Sequence, residues 1–158
     1  MINHRILFFL TLFQASLCQF VQVRTAEELI VLFNEKTEGI LKKDIELLDD
    51  LDFTSSNLIF PLGISSSGIC TVYSGVFRGN GHSINNLKMN VKNNAIFSKA
   101  GLFCSLKDAT VENLLINKSC SFNGNTAGAL SVRAVGSIIV TNVTNRVLPV
   151  ESVGLEAS

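Results

Sequence analysis

Along most of this chain the apolar residues come in short clusters broken by glycine, asparagine and serine, as at Gly79-Asn80-Gly81-His82-Ser83 and Asn123-Gly124-Asn125. Gly and Asn accept positive φ at low cost, so these breaks are turns. The pattern predicts short strands joined by tight turns. It does not suit helical repeats, which need apolar spacings of three and four over two helices. One stretch does have helical spacing: Leu29, Leu32 and Phe33 follow Thr25-Ala26-Glu27-Glu28, a capping-box sequence. A helix over about 26–36 is expected there. Ile40-Leu41 and Ile45-Glu46-Leu47 then read as strands, with Asp49-Asp50 as a break.

Two marks recur at nearly one period. Ile84-Asn85-Asn86-Leu87, Val111-Glu112-Asn113-Leu114 and Val140-Thr141-Asn142-Val143 share an apolar-any-Asn-apolar form, at spacings of 27 and 29. Gly75-Val76-Phe77, Gly101-Leu102-Phe103 and Gly128-Ala129-Leu130 precede them at spacings of 26 and 27. Leucine is too sparse for a leucine-rich repeat, and a unit of about 27 residues with this composition describes a β-solenoid. Stacked rungs would place Ile84, Val111 and Val140 in one interior column and Leu87, Leu114 and Val143 in another. Phe77, Phe103 and Leu130 would pack on them from a second face. Asn86, Asn113 and Asn142 would form an inward-facing amide ladder. The expected architecture is all-β: a short parallel β-helix of about three to four rungs over 54–145. A cap over 19–53, containing the helix and first strands, would protect its open edge. Residues 146–158 form an irregular tail that supplies no further rung, so the last rung is expected to be open and able to self-associate.

The first 20 residues, MINHRILFFLTLFQASLCQF, change the picture. A short start with His4 and Arg5, an apolar run from Ile6 to Phe13, and small residues at Ala15, Ser16 and Cys18 give the order of a secretory signal over 1–18. The run falls short of the roughly 20 residues that span a bilayer. No second hydrophobic span follows, so the expected destination is extracellular or the cell surface.

In the full chain, 47% hydrophobic and 16% charged residues exclude wholesale disorder. Formal net charge is zero, but it is unevenly spread. Residues 27–52 carry nine acids against three lysines, while 53–150 carry eight bases against Asp108 and Glu112. A basic middle can attract anionic glycans or membrane. The bases are scattered singly, which favours an ordinary solvated surface, and no nucleic-acid motif accompanies them.

Candidate chemistry is thin. With Cys18 in the leader, Cys70, Cys104 and Cys120 remain, so at least one is a free thiol or bridges another chain. Their spacings match no zinc site, and only His82 remains as a histidine ligand outside the leader. Secretion gives meaning to the sequons at Asn117 and Asn142. Asn117 is the favoured acceptor because Asn142 falls in the amide ladder. Gly79-Asn80-Gly81 lacks the third glycine of a phosphate loop and reads as a turn. Asp49-Asp50-Leu51-Asp52 lacks the glycine and distal Glu of a calcium loop. No cofactor site is indicated. On one strand, Asp108 and Glu112 would share a face about 13 Å apart, too far for a retaining glycosidase pair and long for an inverting one.

Several segments together resemble secreted right-handed β-helix proteins of pectin-lyase-like architecture with GLUG-type repeats. They are Glu27-Glu28-Leu29, Asp44-Ile45-Glu46-Leu47, Ile59-Phe60-Pro61-Leu62-Gly63, Phe77-Arg78-Gly79-Asn80-Gly81-His82 and Gly101-Leu102-Phe103-Cys104. The likeness spans about 22–145. Ile59, Arg78 and Cys104 stand where that family has Trp, Asp and Gly. The resemblance implies a secreted or surface-associated, adhesin-like or structural protein that contacts a glycan, a protein or another copy. The alternative is a degenerate or truncated family member without independent function. A polysaccharide lyase or glycosidase shares the architecture and has the least support in these residues.

Overall fold

The computed structural model describes residues 20–34, 40–56, 60–65 and 67–147. The leader before Phe20 and the tail after Val147 lie outside them. Strand β1 (Val21–Val23) and helix α1 (Ala26–Asn34) open the fold. The chain then makes about three turns around one axis, in four successive passes of strands. The first pass holds β2 (Ile40–Leu41), β3 (Ile45–Leu47) and β4 (Leu51–Asp52). The second holds β5 (Val72–Tyr73), β6 (Val76–Arg78), β7 (Ser83–Asn85) and β8 (Lys88–Asn90). The third adds β9 (Lys99–Ala100), β10 (Phe103–Lys107), β11 (Thr110–Glu112), β12 (Leu115–Ile116) and β13 (Ser121–Asn123). The fourth has β14 (Thr126–Ala127), β15 (Ser131–Val135), β16 (Ile139–Thr141) and β17 (Thr144–Asn145).

Every strand pairs in parallel with its counterpart in the next pass. The longest sheet runs β1-β3-β6-β11-β16. Two others run β2-β5-β10-β15 and β4-β7-β12-β17, and the short pairs β8-β13 and β9-β14 complete the circuit. This is a parallel β-solenoid of about three turns with one short helix at its amino end, the all-β architecture expected from the turn-rich pattern.

Register defines the interior columns. Ile45, Phe77, Val111 and Val140 stack in the longest sheet. Leu51, Ile84 and Ile116 stack in the next, and Leu41, Tyr73 and Leu106 in a third. All of these except Val140 are buried. The expected columns therefore need correcting. Val111 and Val140 do stack, but Ile84 belongs to the column of Ile116. Phe103 lies over Leu62, not over Phe77.

The cause is unequal pass length. Ile45 to Phe77 spans 32 residues, Phe77 to Val111 spans 34, and Val111 to Val140 spans 29. Residues 63–65 and 67–71 flank a hairpin, closed by an antiparallel bridge between Ile64 and Cys70, where the third pass has only Cys104. Residues 91–98 form a loop where the next corner has only Gly124 and Asn125. The hairpin leaves the circuit opposite Cys104, within β10, and the loop leaves it at a corner; the strands on either side of each keep their register. The period near 27 belongs to the third pass alone. There Gly101 lies against Gly128, and a Cβ on Gly101 would sit 2.6 Å from the Gly128 carbonyl oxygen.

The helix begins as its capping box requires. Thr25 Oγ1 accepts from the Glu28 amide at 3.2 Å, and Glu28 Oε2 accepts from the Thr25 amide at 3.4 Å and from the Arg24 amide at 2.7 Å. Ala26, Leu29, Leu32 and Phe33 form the buried face. Helix α1 ends at Asn34, and the expected extension to 36 lies outside the described residues. Phe33 enters the core, with its ring 5.6 Å from Tyr73 and 5.7 Å from Phe103. Tyr73 stacks on Phe103 at 5.7 Å, and Phe77 meets Phe103 edge-on at 5.3 Å. Burying an aromatic of this size contributes about 1.5–3 kcal/mol. The Tyr73 hydroxyl is satisfied by donating to the Lys43 carbonyl at 3.1 Å, and burial pushes its ionisation far above the usual phenol range.

Candidate functional site

The polar residues that sequence patterning singled out sit at the corners of the solenoid. The non-glycine residues of positive φ among those described are Asn80, Asn86, Asn93, Asp108, Asn113 and Asn142. Asn and Asp tolerate this conformation because their short side chains bond locally. Asn113 and Asn142 end β11 and β16 and stack, with Asn142 Nδ2 donating to Asn113 Oδ1 at 2.8 Å. Asn86 ends β7, one side further around. Its Nδ2 donates to Asp52 Oδ1 at 2.9 Å, and its backbone amide donates to Ser119 Oγ at 3.0 Å.

The expected three-residue ladder is thus split between two corners, because the second pass is offset from the marks used to align it. Its inward direction is also overturned. Asn113 and Asn142 are exposed and Asn86 is half-buried, since a left-handed corner turns the side chain away from the lumen. A further amide pair, Asn123 Nδ2 to Asn90 Oδ1 at 2.9 Å, joins β13 to β8. Its signal was the shared polar-apolar-Asn form of Lys88-Met89-Asn90 and Ser121-Phe122-Asn123.

The acids act as braces. Asp108 is not on β11 with Glu112, as a shared face would require. It occupies a left-handed turn before the strand, where Oδ1 accepts from the Ser137 amide at 3.0 Å. Glu112 pairs with Arg78 at 2.7 Å, and the Arg78 guanidinium also lies 4.1 Å from the centre of the Phe20 ring. Asp50 accepts from the Ser83 amide at 2.7 Å, which, with help from His82 at 3.5 Å, holds its carboxyl below the usual range. Asp52 is lowered by the Thr54 hydroxyl at 2.6 Å and then by Asn86. Gly79-Asn80-Gly81 is a turn, with the His82 amide donating to the Gly79 carbonyl and Asn80 Nδ2 donating to the Leu47 carbonyl at 2.9 Å. Gly79 is obligatory, because a Cβ there would collide with the Asn113 carbonyl oxygen of the next pass. Among the described residues no group of three His, Cys, Asp or Glu side chains is placed to hold a metal ion.

Cys70 and Cys104 form a disulfide that ties the hairpin closed by Ile64 and Cys70 to β10. Cys120 is a buried free thiol donating to the Ile84 carbonyl at 3.3 Å, and burial raises its pKa. Such a thiol is inert. Of the sequon residues, Asn142 is exposed on the last pass. Asn117 is half-buried in the turn where Ser119 holds Asn86.

Fold and side chains together define a short parallel β-solenoid, helix-capped at one end, whose polar residues mostly brace corners. No protein family, no curated protein and no solved structure matches the chain.

Proposed function

We propose that this chain is a secreted or surface-associated, non-catalytic β-helix module, adhesin-like or structural in role. The right-handed, pectin-lyase-like form with GLUG-type repeats is part of the same proposal and rests on sequence likeness. The observation that carries the reading is the Cys70–Cys104 disulfide. Structural disulfides form and persist in oxidising compartments, and the leader pattern of residues 1–18 supplies the route to one. The non-catalytic reading draws support from the carboxylates of Asp50, Asp52, Asp108 and Glu112. Each is engaged by a partner within the fold. On this reading the sequons at Asn117 and Asn142 meet the glycosylation machinery during export.

Expression of the full chain in a secretory host tests the proposal. The medium should contain a product beginning at Gln19, with one disulfide and one free thiol by non-reducing mass analysis. A glycan mass should be lost on enzymatic deglycosylation and absent from the N117Q/N142Q variant. Retention in the cytosol with the leader intact and all thiols reduced would sink the proposal.

A further inference from the structure

We propose that the two sides of the solenoid built from β8, β13, β9 and β14 are a docking face for an anionic polysaccharide. The ligand class is a sulfated or carboxylated glycan chain. The inference rests on the extracellular reading and deepens it.

Four lysines scattered along the sequence are gathered here by the winding. Lys88 lies on β8, Lys92 just after it, Lys99 on β9 and Lys118 in the turn before β13. All four are exposed, and among the described residues none is paired with a carboxylate. Residues 86–100 and 117–128, which form these two sides and their corners, contain no Asp or Glu. Asp52, on β4, reaches the edge of this surface by accepting from Asn86 Nδ2 at 2.9 Å, while Glu46 on β3, Glu112 on β11, Asp49 and Asp50 before β4, and Asp108 before β11 lie elsewhere on the circuit. The bases beside them are engaged, Arg78 by Glu112 and Arg24 by Asp49. With Asp52 held by Thr54 and Asn86, the four lysines leave a net positive charge on these two sides, which raises the local concentration of polyanions.

The groups between the lysines select among polyanions. Register sets Ser121 beside Lys88, Asn123 beside Asn90 and Thr126 beside Lys99. Asn123 already donates to Asn90 at 2.9 Å, and the Ser121 and Thr126 hydroxyls, each beside a lysine, can bond the hydroxyls of a chain laid across the two rungs. Lysine is a point charge on a flexible stem, suited to sulfates or carboxylates at variable spacing. A membrane would need an apolar face to bury. Here one large apolar side chain, Ile96, is exposed in the 91–98 loop. Single-stranded nucleic acid would need exposed aromatic platforms, whereas Phe97 of that loop packs edge-on against Phe60 and Phe122 of β13 is buried.

The test uses the purified, folded, leader-free chain, immobilised heparin as the sulfated probe, dextran as the neutral control and phosphatidylserine vesicles as the membrane rival. Retention on heparin but not dextran is expected, with release on the order of 0.3 M NaCl, where screening shortens the reach of surface charge. K88E/K92E/K118E should weaken heparin binding at least about tenfold. K42E/K107E/R133E removes the same charge from exposed positions on other parts of the circuit and should weaken it by less than about threefold. Circular dichroism and the disulfide confirm that both triples are folded. No retention, equal losses in the two triples, or vesicle binding without heparin binding would overturn the proposal. Because binding is measured on the isolated chain, its failure is separate from a failure of export, which leader cleavage reports.

Discussion

The two ends of the solenoid solve one problem differently. At the amino end β1 adds to β3, with the Val21 amide donating to the Asp44 carbonyl at 2.8 Å, and α1 drives Phe33 into the lumen. At the carboxyl end β15, β16 and β17 are the outermost strands of their sheets, and Ile139 and Val140 are 52% and 47% exposed. Nothing among the described residues lies beyond them. A parallel stack satisfies each strand from the pass above and the pass below, so it cannot finish itself. Closure has to come from residues that do not follow the repeat, as β1 and α1 show.

That contrast orders the consequences of mutation. Phe33→Ala should cost about 3–5 kcal/mol in urea unfolding, because a fully buried aromatic leaves a cavity among Tyr73 and Phe103. A loss under about 1 kcal/mol would mean that the cap is not integral to the core. The C70S/C104S variant should lose about 2–4 kcal/mol by the same measurement, through the freedom restored to the unfolded chain. Thr25→Ala removes one arm of the capping box and should cost about 1 kcal/mol, with its effect confined to the helical signal.

At the other end Val140→Thr should change stability by less than about 0.5 kcal/mol. The same substitution combined with Ile139→Lys should reduce any concentration-dependent association seen by sedimentation, because it blunts an exposed strand edge. A loss at Val140 as large as that at Phe33 would show that the last pass is covered in solution.

The smallest expected effect is on pH dependence. Asp50 and Asp52 have carboxyls held below their ordinary value of 3.8. Their contribution is complete above that value and is lost as pH falls through the lower folded values. Unfolding free energy should therefore decline on the acid side, and D50N/D52N should flatten that decline. Both side chains are solvent-facing, so the slope should be shallow.

How much of this could be read from the residues depended on whether the signal was local. The capping box at Thr25 and Glu28 and the apolar spacing of Leu29, Leu32 and Phe33 lie within one helix, and the helix forms there. The stacking of Asn113 under Asn142 was legible because the pass between them carries no insertion. The second pass was not, because the 91–98 loop lengthens the step from its marks to the third pass. A search for a constant period consequently set Ile84 against Val111 when its neighbour is Ile116. The partner of Cys70 was equally hidden, since a separation of 34 residues becomes a short distance only once the chain has wound. The lysine face follows the same rule. Lys88 and Lys118 read as isolated charges until two passes are laid side by side.

A wound chain under tension unwinds from its free end, pass by pass, and the disulfide fixes where that stops. Pulled from the carboxyl end, the fourth pass and then β13, β12 and β11 can be drawn off, until the force reaches Cys104. From there the load crosses the covalent bond directly to Cys70. Strands β5 to β9, which lie between the two cysteines in the chain, are carried as slack outside the line of force. If this module holds a cell or a matrix at its surface, what remains under strain is the first pass and its helical plug.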